Sequence, residues 1–413
     1  MYALGGRNPA TVGARPDPPT GDTNRRRLKS TRTEPYGLPV PPDFHYFADW
    51  GTQWSRMPSF MLGELLFIVS AAVALWHAAR RGRDHQLVWL AALIAGTAND
   101  FIFMALPLVD NFWQAQGTIM LTPRMPLYIP CVYVSFMYWP TVGVRRLGLP
   151  RWSGAALSGL AACAYYAPYD IVGATFLWWT WHDTDQPIAA RILGAPCSST
   201  LWVLTFAGAF ACLVDHTLRG RAVVDGRAFA VGLAKVAGLT TLVMMGQMTV
   251  LQRVDGGTPG IRSLLVGLAV YAVVAALGLR HRTPRPVDGI DRVAMGMIAG
   301  HFALILTIGL AFDPAAHVST GLHQPVGPCH VEATDITGLT RFANFCVGDF
   351  DEPFDFRCVD TPPADGATWY TVCGTALRNP TVWRIGLIAI VCVGAVLFAA
   401  LWVGAAGIVR LRV

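Results

Sequence analysis

The chain has 413 residues, of which 53% are hydrophobic and 14% charged, with a net charge of +6. A soluble domain carries about 25% charged residues. The composition therefore excludes an ordinary soluble globular protein and points to the bilayer. The positive balance lies in Arg clusters beside apolar runs, the pattern of topology signals, and it does not describe a nucleic-acid surface.

Residues 1–56 are rich in Pro, Gly and Arg and contain no apolar run able to pack a core, so a disordered tail is expected. No apolar signal-peptide region occurs within the first thirty residues. Nine apolar runs follow, at 58–79, 87–109, 126–144, 153–177, 198–218, 229–251, 262–280, 291–311 and 382–408. Each is near the roughly 20 residues needed to cross the hydrocarbon core. The expected fold is all-α: a transmembrane bundle over 57–311, an extracytoplasmic segment over 312–381, and a last span with a short tail over 382–413.

Basic residues alternate between the links. Arg80, Arg81 and Arg83 follow the first run, Arg145, Arg146 and Arg151 the third, Arg219, Arg221 and Arg227 the fifth, Arg280, Arg282 and Arg285 the seventh, and Arg410 and Arg412 the last. The positive-inside rule then predicts a cell-membrane protein with its N-terminus outside and its C-terminus in the cytoplasm. The cluster Arg25–Arg27 disagrees, but it lies beyond the distance over which the rule acts strongly.

This orientation puts 312–381 outside, with Cys329, Cys346, Cys358 and Cys373. Four cysteines in an oxidising compartment suggest two disulfides, and neighbour pairing favours Cys329–Cys346 and Cys358–Cys373. The spacings are far from metal-site patterns, and no metal is expected. The same segment contains GDFDEPFDF, with Asp349, Asp351, Glu352 and Asp355, which reads as an acidic solvated cap or an oxygen-rich cation site; the calcium-loop spacing is absent.

Several polar groups lie deep in the apolar runs: Glu64, Asn99 with Asp100, Asp170, Gln247 and His301. Ionisable groups in spans are costly and mark functional sites by default. At about 1.5 Å per residue they fall in one layer, between the midplane and the outer face. Tyr166 shares a helix face with Asp170, and Pro168 removes a donor and frees the Ala164 carbonyl, which predicts a kink. The run Trp178, Trp179, Trp181, His182 is expected to anchor at the outer interface. The connection 110–125, with Asp110, Asn111, Trp113, Gln114, Gln116 and Arg124, is expected to lie in the interface and to lid a pocket; Arg124 is placed to pair with Asp100 or Asp110.

The stretches NDFIFMALPLVDNFWQAQG, PLYIPCVYVSFMYWP, YDIVGATFLWWTWHDTD and TGLTRFANFCVGDFDEPFDFRC resemble an uncharacterised multi-pass family of bacteria and some eukaryotes, which implies no activity. An acid in one span and a Tyr/Asp then Trp-rich span are also similar to carotenoid-hydratase-type membrane enzymes. That resemblance implies protonation of a polyene by intramembrane acids, here Asp100 and Asp170.

The resulting expectation is a membrane-embedded enzyme or binding protein for a lipid or isoprenoid, entered from the outer leaflet side. Asp100 and Asp170 would be acid and base, oriented with Tyr166, Asn99 and His301. Glu64, Trp113, Arg124, Tyr128, Tyr133, Tyr138, Tyr165 and Gln247 would complete the polar set and the aromatic walls. A proton-coupled transporter using the same acids, or a non-catalytic surface receptor, are the alternatives. Cofactor, enzymatic status and oligomeric state are not specified by the sequence. Nucleotide loops, zinc-protease motifs and serine-hydrolase elbows are absent.

Overall fold

The computed structural model describes residues 44–106, 112–181, 185–220, 224–350 and 352–402. The expectations placed on Arg25–Arg27, Asp110, Asn111, His182, Arg221, Asp351, Arg410 and Arg412 lie outside these residues.

The described chain is mostly helical. In order, the helices are α1 (Trp50–Arg56), α2 (Pro58–Arg81), α3 (Arg83–Ala105), α4 (Tyr128–Arg145), α5 (Arg151–Thr175), α6 (Gln186–Ala189), α7 (Cys197–Leu218), α8 (Gly226–Leu251), α9 (Ile261–Leu279), α10 (Gly289–Ala311) and α11 (Pro380–Trp402). Seven of them, α2, α3 and α7 to α11, are long and apolar enough to cross a membrane. They suggest a multi-pass membrane protein. The runs predicted at 126–144 and 153–177 are also helical, as α4 and α5, but do not reach that apolarity. Nearly every residue of α4 is buried. A helix enclosed by protein can keep polar and aromatic side chains that a lipid-facing helix could not.

Residues 44–56, expected to belong to a disordered tail, are ordered. Asp49 caps α1, its carboxylate accepting from the Thr52 amide at 2.8 Å. Gln53 is buried and donates to the Gln116 carbonyl at 2.6 Å. Local composition missed this because the partner lies 63 residues away.

Pro168 sits inside an unbroken α5. The Ala164 carbonyl that it frees faces Gly394 of α11, where a Cβ would come within 2.7 Å of that oxygen. The glycine thus admits α11 against the backbone group that proline left unpaired.

The bundle has two distinct ends. Arg81, Arg145, Arg146, Arg151, Arg219 and Arg285 gather at one. The other is covered by short strands: β1 (Phe112–Gln114), β2 (Met120–Thr122), β3 (Met125–Pro126), β4 (Trp179–Trp181), β5 (Arg191–Ile192), β6 (Ala195–Pro196), β7 (Val318–Leu322), β8 (Glu332–Thr334), β9 (Thr340–Phe342), β10 (Phe354–Asp355) and β11 (Trp369–Gly374). They pair antiparallel as β1–β4, β2–β3, β5–β6, β8–β9 and a sheet ordered β10–β11–β7. Disulfides join Cys329 to Cys346 and Cys358 to Cys373 in this region, around an aromatic core of Phe345, Phe354 and Tyr370.

One expectation is corrected here. Trp178, Trp179 and Trp181 are not an interfacial belt: all three are buried, and Trp178 Nε1 donates to Ser59 at 3.0 Å. The described acids of GDFDEPFDF each meet a basic side chain, and Asp349 stays exposed, as a solvated cap would have it. Glu352 forms a two-point pair with Arg191 at 2.6 and 2.9 Å, Asp355 pairs with Arg357, and Asp349 lies 2.7 Å from His330.

Candidate functional site

A cavity of about 470 Å³ lies near the strand-covered end, between α3, α4, α5, α7 and α8. Its roof is the β1–β4 pair. Side chains alternate across a strand, so Phe112 and Gln114 face the cavity, as do Trp179 and Trp181. Trp113 and Thr180, their neighbours in register, point the other way; Thr180 meets His323 at 3.1 Å. That alternation is why Trp113 is absent from the wall.

The polar floor comes from α3. The Asp100 carboxylate accepts a hydrogen bond from Tyr133 of α4. Asn99 accepts from Thr241 of α8 at 3.3 Å. Both α3 residues are buried and line the cavity. Asp100 lies 17 residues from the Arg-rich end of α3, about 25 Å at 1.5 Å per residue. The described helix stops at Ala105, so Asp100 belongs to its last third.

Tyr166 and Tyr169 of α5, Ser198, Ser199 and Trp202 of α7, and Met244, Met245 and Met248 of α8 complete the walls. Met245 and Thr249 line the cavity and are also exposed on the outside of α8, so the hollow reaches the bundle surface there. Thr337, Leu339 and Arg341, from the disulfide-bearing segment, also line it. Arg341 bonds Asp335 at 2.7 Å and lies 3.7 Å from Asp185.

The predicted polar set is therefore only partly brought together. Asn99, Asp100, Tyr133 and Tyr166 share the wall. Asp170 is fully buried behind it, with the Ser199 and Tyr166 hydroxyls as its polar neighbours. Neither Asp170 oxygen makes a hydrogen bond among the described residues. Tyr128 stands one bond away from the cavity, donating to Gln114 at 2.9 Å. Arg124 lies near enough to Asp100 to feel its charge and reaches the Met104 carbonyl at 3.4 Å. Burial pushes its guanidinium down to about 10, opposed by Asp100, so it stays a cation at neutral pH.

Glu64, Gln247, His301, Tyr138 and Tyr165 lie elsewhere. Glu64 accepts from the Thr118 amide at 3.0 and 3.1 Å and from Ile119 at 3.4 Å, fixing the connection that carries β1 to β3. Gln247 accepts from Tyr271 of α9 and points away from the cavity. His301 bonds the Tyr165 carbonyl at 3.0 Å and stacks on the Tyr165 ring at 3.7 Å, one turn before Pro168. Tyr138 meets His77 at 2.8 Å, remote from the cavity. Depth in the sequence marked these groups as costly; their separate partners became visible only in three dimensions.

Ser198, Ser199, Arg341 and the methionines of α8 were not found by sequence reasoning. Serine is cheap at any depth and Met at helical spacing reads as core, so neither gives a local signal. Among the described residues no cluster of His, Cys, Asp and Glu could hold a metal.

The sequence matches, over residues 47–405, the model of a family described as a domain of unknown function (DUF7802). No curated protein matches the chain. No solved structure matches it. The similarity to carotenoid-hydratase-type enzymes gains no support from these comparisons.

Proposed function

The chain belongs to the DUF7802 family, whose description names no activity, and from that premise we propose a nine-span cell-membrane protein that binds a lipid or isoprenoid in the cavity beneath β1 and β4. The arginine end faces the cytoplasm and the disulfide end lies outside, which agrees with both the charge rule and the redox requirement.

The observation that carries the reading is the composition of the hollow. Aromatic and Met side chains give it an apolar wall, and Asp100 with Tyr133, flanked by Asn99, Gln114 and Ser199, gives it a polar patch. Pockets of that size and make-up suit a largely apolar molecule with a small polar end. Its exposure at Met245 and Thr249 supports entry from the bilayer. The ligand carries a hydroxyl or amine that donates to Asp100, and Ser199 and Gln114 are the further polar contacts. If chemistry occurs, Asp100 is the group placed for proton transfer, with Asp170 acting behind Ser199 and Tyr166.

The test is extraction of the protein with its surrounding membrane into polymer-bounded discs, followed by mass spectrometry of the apolar lipids retained. Wild type should enrich one class over bulk membrane. Ser199→Phe, which fills the hollow, and Asp100→Asn, which removes its acceptor charge, should each lose that enrichment. The same lipid profile in all three proteins rules the reading out.

A further inference from the structure

A second hollow, of about 650 Å³, lies at the arginine end and shares no lining residue with the cavity beneath β1 and β4. Seven arginines line it against two carboxylates, Asp84 and Asp215. They arrive from separate links: α2 to α3, α4 to α5, the end of α7, and the segment before α10. The positive-inside rule explains why arginines collect at this end. It does not explain why they line one shared hollow, since long side chains at a helix end can reach water individually.

Four of the seven are balanced. Arg81 bonds Asp288 at 2.6 and 2.7 Å and also bonds Asp291, which lies 3.3 Å from Arg146. Arg151 and Arg219 share Asp215 at 3.3 and 2.7 Å. The other three are not. Arg83 reaches only the Val224 carbonyl, at 3.3 Å. Arg145 and Arg285 have no side-chain hydrogen bond or ion pair among the described residues. The Arg145 Nη1 is closed off from solvent and unbonded. Asp84 acts on Arg145 through its charge, but its own contact is with His85, at 3.1 Å.

Arg145 therefore carries the cost, because a guanidinium donor closed off without an acceptor has given up water for nothing, while Arg83 and Arg285 stand exposed beside it at the rim. An anion with several acceptor oxygens would satisfy the Arg145 donor and the two exposed guanidinium groups together, and planar guanidinium groups match phosphate two bonds at a time. The hollow is far larger than one phosphate group, leaving room for the body to which it is attached. We propose that this hollow binds a phosphomonoester, with Arg145, Arg285 and Arg83 as its principal donors. The phosphate can belong to the headgroup of an acidic lipid of the adjacent leaflet or to a soluble phosphate compound.

The test uses the full chain in phosphatidylcholine nanodiscs, with thermal midpoint as the readout. In one arm inorganic phosphate and then pyrophosphate are titrated in. In the other, part of the phosphatidylcholine is replaced by phosphatidic acid. A rise with phosphatidic acid alone assigns a lipid headgroup; a rise with the soluble anions assigns a free phosphate compound. The double variant Arg145→Gln, Arg285→Gln should weaken the effective arm at least about tenfold, equivalent to about 1.4 kcal/mol. Arg56→Gln, at the opposite end, should leave it unchanged. Because Arg285 is exposed and unpartnered, Arg285→Gln alone serves should the double variant fail to fold. No shift in either arm, or shifts of equal size in wild type and in the Arg145 and Arg285 variants, overturns the assignment.

Discussion

The Tyr133 ring lies directly on Gly96, one turn before the carboxylate that its hydroxyl bonds. A Cβ built at Gly96 would fall 2.1 Å from Tyr133 Cγ. The helix contact and the Asp100–Tyr133 hydrogen bond are thus one feature: the missing side chain lets α4 approach, and the approach sets the reach of the hydroxyl. Gly96→Ala should destabilise the protein by about 1–3 kcal/mol through overpacking and should abolish lipid enrichment as Asp100→Asn does. Thermal unfolding in detergent, beside the lipid analysis, measures both. A Gly96→Ala protein with wild-type stability and retention would show that the contact is dispensable.

Tyr133→Phe separates the hydrogen bond from the packing. The ring stays, and Asp100 loses its donor while remaining buried. The cost should be about 1–3 kcal/mol, the penalty of leaving a buried acceptor unmade. Asp100→Asn should cost less, since an amide oxygen still accepts from Tyr133. The reverse order of stabilities would mean that Tyr133 is not the principal partner.

Glu64 ties α2 to the connection below the strands through two backbone amides. Glu64→Ala should lower stability by about 1.5–3 kcal/mol, as expected for hydrogen bonds to a charged group. Amide exchange at Thr118 and Ile119 should quicken, with little change at Asp100. Glu64→Gln, which keeps one acceptor oxygen, should fall between. Unchanged exchange at Thr118 in the Ala variant would remove Glu64 from this role.

The two disulfides close loops of 17 and 15 residues in sequence separation, worth about 3 kcal/mol each in the chain-entropy account. Non-reducing peptide mapping should recover Cys329 linked to Cys346 and Cys358 linked to Cys373. After reduction, a membrane-impermeant thiol reagent applied to intact cells should label these four and spare Cys212, which lies toward the arginine end. Labelling only in lysed cells would reverse the proposed orientation.

His323 makes the strand-covered end sensitive to acid. It is buried beneath Tyr370, with ring centroids 4.4 Å apart, and burial holds its imidazole down at about 3. His317, held between Ser59 and the Asp313 carbonyl, is also lowered by burial. An unfolded histidine titrates near 6.5. Below that pH the unfolded chain takes up protons that the folded one refuses, so stability is full above about 6.5 and falls as pH drops toward 3. Exchange protection of β7 and β11 should fall between pH 7 and pH 5, and His323→Gln should flatten that dependence. A wild-type profile without slope would show that protonation finds an accommodating folded state.

The apolar runs, the Arg alternation and the pairing of neighbouring cysteines were all legible in the chain, because each depends on residues near one another. Hydrocarbon thickness sets a run length, and a helix satisfies its own backbone. The polar residues were legible only as unusual. Glu64, Gln247 and His301 looked like one set with Asp100, since depth reports the cost of burying a polar group without saying which neighbour relieves it. The assembled bundle decided that Glu64 would hold a loop, that His301 would brace the backbone before Pro168, and that Asp100 would open onto a hollow. It also buried the tryptophans expected at the interface and turned seven arginines, read only as topology signals, toward a common space. Those outcomes depend on which helix faces approach, and that is fixed by contacts between residues far apart in sequence, such as Gly96 with Tyr133 and Gly394 with Ala164.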